Sequence, residues 1–178
     1  MRFDGAQWQA VGGPFYEHPY RWVPNISLAL DGSGTPYVAF NDQEGGSQFC
    51  GPATVMRFDG AGWQAVGGPV SEEGGCFTSL ALDSAGNPWV AYEDQANWNR
   101  AAVKRFDGAN WVGVGDGGFQ QDTEETGFVR LALDASNKPL RGLYRLGDRL
   151  EGDDDDARHR RKLGACGFRR RLLRRRVA

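Results

Sequence analysis

The side chains best suited to chemistry in this 178-residue chain fall in stretches that differ from one another. They are Tyr16, His18, Tyr20 and Trp22, then Glu44, then Glu72 and Glu73, then Asp94, Trp98 and Arg100, then Asp122, Glu124 and Glu125. Aromatic faces stack on sugar rings and peptide groups while carboxylates accept hydrogen bonds, so these types together suit a binding surface. Glu44, Glu72 and Asp94 are also the type that acid/base work on a carbohydrate needs. No spacing holds any two of them together, and taken singly they read as solvated loop positions.

Other constellations carry less. Asp31, Asp83 and Asp134 recur, as do Asp42 and Asp94. Carboxylates gathered this way can bind a metal, but an aspartate that returns in every unit more often accepts backbone amides in a turn. The two histidines, His18 and His159, are too few for a histidine-based site, and no Gly-x-Ser-x-Gly, P-loop or dinucleotide fingerprint occurs. No catalytic set, metal or cofactor is expected.

What must position these residues is an array. SLALDSAGNPWVAYED, from Ser79 to Asp94, has a close copy from Ser27 to Asp42 and a damaged one from Arg130 to Arg145; MRFDGAQWQAVGG from Met1 alternates with it, returning from Met56 and Lys104. Within a unit, SLALD and PYVAF or PWVAY suit half-buried strands joined by an Asp/Gly/Pro turn. TVMRF or AVKRF leads through DGAG or DGAN into WQAVGG or WVGVG, a second hairpin with an Asp-Gly signal. Four strands per unit, A to D, follow.

The chain then reads as a C–D half over 1–13, a full unit over 26–68, a second over 78–115, and the start of another over 128–139. Four-stranded antiparallel units repeating at roughly 50 residues are the mark of propeller blades. The fold class expected is all-β, a partial β-propeller, followed over 140–178 by an acidic-then-arginine-rich tail, disordered or out of frame. Trp8, Trp63 and Trp111, each five residues after Phe3, Phe58 and Phe106, are expected to pack one blade on the next.

These motifs resemble the propeller repeats of secreted or surface proteins and, more distantly, kelch, sialidase and sensor-kinase propellers. The resemblance covers about 1–139 and implies a fold, since such blades serve lectins, hydrolases, sensors and scaffolds alike. Asp83 and Gly86 stand one residue too far apart for a sialidase Asp-box, so no sialidase chemistry is carried over. A secreted or surface parent is implied.

With strand A innermost, the A–B and C–D turns share one face and the B–C and D–A connections share the other. The second face holds everything that varies, including the candidate ligand-binding residues Tyr16, His18, Tyr20, Trp22, Glu44, Asp94, Trp98 and Arg100. Loops that differ on a repeated scaffold are where propellers bind partners. Cys50 in one B–C loop and Cys76 in the next D–A loop fall on this face at adjacent blades, where a disulfide would suit an oxidising compartment. Cys166 has no evident partner.

Charge separates the chain in two. Residues 1–140 carry 8 Lys and Arg against 17 Asp and Glu, and the other 38 carry 13 against 6. The repeat breaks just after Pro139, which reads as out-of-frame translation, a solvated tail or a basic segment for nucleic acid. No window is apolar enough to span a bilayer, and Met1 opens directly on a repeat unit where a leader would stand. The function expected is a non-enzymatic binding or scaffold segment contacting protein or glycan, with a carbohydrate-active fragment and a nucleic-acid-binding tail as alternatives. Incomplete blades at both ends imply a piece of a longer protein, or a homodimer in which the C–D and A halves complete each other.

Overall fold

The computed structural model describes residues 1–15, 23, 25–41, 50–115 and 126–145, the last stretch by backbone alone at 126, 127, 141 and 143–145. Twelve strands are described, all antiparallel. They are β1 (Arg2–Phe3) and β2 (Trp8–Gln9); β3 (Ser27–Leu30), β4 (Pro36–Asn41), β5 (Ala53–Phe58) and β6 (Trp63–Ala65); β7 (Gly75–Leu82), β8 (Pro88–Asp94), β9 (Arg100–Phe106) and β10 (Trp111–Gly113); and β11 (Thr126–Leu133) and β12 (Pro139–Arg145). Strands neighbouring in sequence neighbour in space, giving two four-stranded meanders flanked by the pairs β1–β2 and β11–β12. The chain is all-β and forms blades of part of a β-propeller.

The turns form because aspartate supplies what the bent backbone lacks. Asp59 Oδ1 accepts from the amides of Ala61 and Gly62 at 2.9 and 2.8 Å, and Asp107 and Asp4 repeat the arrangement in the other C–D turns. In the A–B turns Asp31 accepts from Ser33 and Thr35, Asp83 from Ala85 and Asn87, and Asp134 from Ser136 and Lys138. The recurring strand-A aspartates thus close Asx turns.

Both faces of β4 and of β8 are buried, which is why PYVAF and PWVAY lack alternation. Tyr37, Ala39, Ala53 and Val55 of one blade meet Leu80, Val90 and Tyr92 of the next; Trp89, Ala91, Ala101 and Val103 on its far side meet Val129, with Leu131 and Leu133 packed beside them. Hydrogen bonds stitch the same seams. Ser27 Oγ accepts from the Leu80 amide and Ser79 Oγ from the Leu131 amide, at 2.9 and 3.0 Å. The recurring tryptophans sit against their phenylalanines, Phe58–Trp63 at 5.5 Å and Phe106–Trp111 at 5.4 Å between centroids, and donate backwards: Trp63 Nε1 to Gly13 O, Trp111 Nε1 to Val66 O and Gly68 O.

Two boundaries differ from the sequence expectation. Strand A begins earlier, at Gly75 and Thr126, because a register shift lets the strand continue past Phe77 and Phe128, whose rings meet at 4.8 Å. A bulge absorbs the extra residue at the left-handed Phe77, φ 51°. At the other end, β12 pairs with β11 as far as Arg145, beyond the break placed after Pro139. Ladder bonds use only backbone groups, so the hairpin closes although Leu140 replaces the aromatic residue of the motif. The tail from 146 onward lies outside the described residues.

Candidate functional site

The face carrying the B–C and D–A connections is described at one corner, built from three segments. The first is the B–C loop of β8 and β9. Asp94 and Arg100 face each other as the last pair of the ladder, so both ends of the expected loop belong to strands and only 95–99 connect them. Asp94 Oδ1 accepts from the Ala96 amide at 3.2 Å and caps a single 3₁₀ turn, Gln95–Asn97. Trp98 and Asn99 then take φ of 57° and 55°. Asparagine tolerates the left-handed region, but for a bulky indole it costs on the order of 1–2 kcal/mol, offset only by surroundings that hold the loop.

Those surroundings are the other two segments. Cys50 and Cys76 form a disulfide with Cα atoms 5.3 Å apart, tying the B–C connection of the first complete blade to β7 of the second. Cys76 lies within β7 rather than in the loop before it, because the bulge carries the strand upstream. The D–A connection threads between: Val70 N donates to Ala53 O at 2.7 Å, Ser71 Oγ accepts from Ala53 N and donates to Glu73 O, and Gly75 N donates to Gly51 O. Gln95 locks the 3₁₀ turn onto this brace, its amide donating to Gly74 O at 3.1 Å and its Nε2 lying 3.6 Å from Cys76 Sγ. A Cβ on Gly74 would meet the Gln95 side chain and stand 2.7 Å from Cys50 O, so only glycine allows the approach.

The outcome is Trp98 82% exposed on a braced corner, with carboxylates nearby. Glu72 and Glu73 are exposed. Burial pushes the Asp94 carboxyl above its ordinary value, opposed by the Ala96 amide and Lys104 and reinforced by Glu73 and Glu72. Burial also pushes the Tyr92 phenol up, with the charges of Asp94 and Glu72 adding to it. Arg100 is half-buried at the start of β9. The corner is acidic, with one bare indole.

Of the residues singled out from sequence, Asp94, Trp98 and Arg100 come together in one hairpin, with Glu72 and Glu73 beside them. Tyr16, His18, Tyr20, Trp22, Asp42, Glu44, Asp122, Glu124 and Glu125 lie outside the described residues. The bracing residues Ser71, Gly74 and Gln95 escaped the sequence reading, although the paired glycines 74 and 75 were a signal of close backbone approach. Among the described residues no cluster of histidine, cysteine, aspartate and glutamate suits a metal ion, and no helix is long and apolar enough to cross a membrane.

A second feature has no counterpart in the loop reading. An open apolar cavity of about 1140 Å³ lies between the β1–β2 pair and the β3–β6 sheet, lined among others by Val11, Phe15, Leu28, Leu30, Val38 and Trp63. Among the described residues its one carboxylate, Asp59, is held below its ordinary value by the turn amides of Gly62 and Ala61.

No family model and no curated protein matches the chain. A solved structure similar to it is a fucose lectin from Kordia zhangzhouensis in complex with methyl-fucoside, 16% identical, covering 68% of this chain and 83% of that one at a TM-score of 0.45. The blade architecture given above stands on this chain's own strand pairing.

Proposed function

We propose that the array is a non-enzymatic binding segment whose B–C and D–A loop face holds a glycan. The observation that carries this reading is Trp98, an indole kept 82% exposed on a left-handed backbone that a disulfide-braced corner holds in place. Strain maintained at an exposed aromatic residue suits a stacking platform, and Asp94, Glu72 and Glu73 supply acceptors for hydroxyl groups beside it. A protein partner would ask for a larger contiguous apolar area than the one indole bare at this corner among the described residues offers. The disulfide suits an oxidising compartment, as expected of a secreted or surface protein.

The carbohydrate-active reading needs two carboxyl groups in one pocket with opposed proton affinities. Among the described residues, Asp94 is raised by burial but its neighbours Glu72 and Glu73 are exposed and its Oδ1 caps the 3₁₀ turn, and the large cavity holds the single carboxylate Asp59, which is committed to its turn. The acidic corner also disfavours a phosphate backbone, which leaves nucleic-acid binding to the arginine-rich residues after 140.

The test is retention of the labelled full chain on a panel of immobilised glycans, beside a Trp98→Ala variant matched for circular dichroism. Loss of one stacked aromatic face should weaken binding about tenfold. Unchanged retention of the variant, or no retention of the wild type on any glycan, would sink the proposal.

A further inference from the structure

Asn25, Ile26 and Ser27 lead into β3 and form the single Asn-x-Ser/Thr triplet of the chain. This spacing lets a hydroxyl two residues on hydrogen-bond the asparagine amide that takes up an oligosaccharide, provided that the middle residue is not proline. The place that Asn25 holds is a repeated one. Counting back two residues from Ser27, Ser79 and Arg130, where the SLALD copies open, sets Asn25 beside Phe77 and Phe128.

The backbone at the first two of these places is the same, with φ of 59° at Asn25 and 51° at Phe77. Asn25 O accepts from Thr78 Oγ1 at 3.0 Å, a bond that any residue would supply. Asparagine suits a left-handed backbone, but Phe77 shows that the blade does not demand it. The side chains diverge. Phe77 is half-buried with its ring 4.8 Å from that of Phe128, whereas Asn25 is exposed and, among the described residues, its side-chain amide has no hydrogen-bond partner. What sets Asn25 apart therefore lies outside the fold.

A second observation, independent of the triplet, concerns the compartment. The Cys50–Cys76 disulfide suits the oxidising lumen of the secretory route, which is also where oligosaccharide is transferred to asparagine. We propose that Asn25 is an N-glycosylation site whose donor is a lipid-pyrophosphate-linked oligosaccharide. Asn25 Nδ2 attacks C1 of the first sugar; the Nδ2–C1 bond forms as the bond from C1 to the pyrophosphate oxygen breaks. The lipid pyrophosphate leaves with the electron pair, and one proton passes from the amide nitrogen to solvent. The site is independent of what Trp98 binds.

The fold sets the order of events. Ser27 is half-buried and its Oγ accepts from the Leu80 amide at 2.9 Å, while Thr78 holds the Asn25 carbonyl, so the folded chain keeps this triplet against the next blade. Transfer precedes closure of that seam, as the chain enters the lumen. The seam then closes without displacing the glycan, because the Asn25 side chain stays in solvent. Ile26, 53% exposed, shares this stretch of surface, which the sugar makes more polar.

Protein recovered from the cells that make it should run faster on a gel after treatment with peptide N-glycosidase, and mass spectrometry should then read aspartate at position 25. The full chain translated behind a cleavable leader into eukaryotic microsomes should give one slower band in the protease-protected fraction, removed by the same enzyme. Asn25→Gln and Ser27→Ala should each lose that band. Ser27→Thr keeps both the hydroxyl and the triplet and should retain it. Because transfer precedes folding, a variant that misfolds still reports. An unmodified Asn25 in the recovered protein, a protected chain with no slower band, or a band that persists in Asn25→Gln overturns the proposal.

Discussion

Cys50 and Cys76, 26 residues apart in sequence and 5.3 Å apart at Cα, join the B–C connection of one blade to the first strand of the next. Neither blade can move against the other at this corner without straining the bond. The bond also holds the strand on which Gln95 anchors the turn that presents Trp98.

Removing the disulfide should therefore lower stability and loosen the corner together. A Cys50→Ser, Cys76→Ser variant is expected to lose about 2–4 kcal/mol, chiefly through the larger freedom of the unfolded chain. The urea midpoint of the oxidised wild type against the double variant measures it. Equal midpoints would mean the corner's hydrogen bonds suffice alone.

Gly67 and Gly68 are adjacent and should respond oppositely to alanine. Gly67 has φ +67° and a Cβ there would stand 2.7 Å from the Phe106 ring of the next blade, whereas a Cβ on Gly68 meets nothing within 4 Å. Gly67→Ala should cost about 1–3 kcal/mol. Gly68→Ala should be within about 0.5 kcal/mol of wild type. Thermal melts of the two variants side by side decide it, and similar losses from both would refute the close approach.

Asn41 is fully buried at the end of β4, and among the described residues neither its Nδ2 nor its Oδ1 has a hydrogen-bond partner. An unsatisfied buried amide burdens the fold, so Asn41→Leu should raise stability by about 1–2 kcal/mol. A lower urea midpoint for the variant would show that the amide is in use.

Acid should weaken the array in a defined window. Asp4 is held down to about 2 by the Gln7 amide, the Gln9 side chain and the Ala6 amide; Asp31 is lowered by the Ser33 hydroxyl and the Thr35 amide, and Asp59 and Asp107 by their own turn amides. A carboxyl whose folded value lies below its unfolded 3.8 contributes stability above that pH and loses it as pH falls through the folded value. Asp94, raised by burial, works in reverse: protonation favours its folded state. Asp83 is lowered too, burial being outweighed by its bonds from Asn87 and Trp89, and five lowered groups against one predict urea midpoints that fall from pH 4 towards pH 2. A midpoint flat over that interval would contradict the turn bonds.

Strand order and turn chemistry were legible in the residues alone, because each is local and repeated. An aspartate two residues before a turn amide closes the same Asx turn wherever it occurs, and an apolar run between such turns has few alternatives to a strand. The spacing of RFDGAxW likewise showed that Trp63 and Trp111 belong to a seam, since a residue that returns in every unit serves what every unit needs.

The candidate site was legible only in part, because it is what the units do not share. Sequence placed Asp94, Trp98 and Arg100 on one loop face but offered no reason for Trp98 to be held rather than merely solvated. That depends on Gly74, Gln95 and the Cys50–Cys76 bond, contributed by segments that meet only when one blade stacks on the next. Nor does SLAL differ between Leu28, left bare, and Leu80, buried. The composition of the strand determines that it can be covered; which copy is covered depends on whether another blade's hairpin lies against it, and burial is a property of that packing, absent from the strand itself.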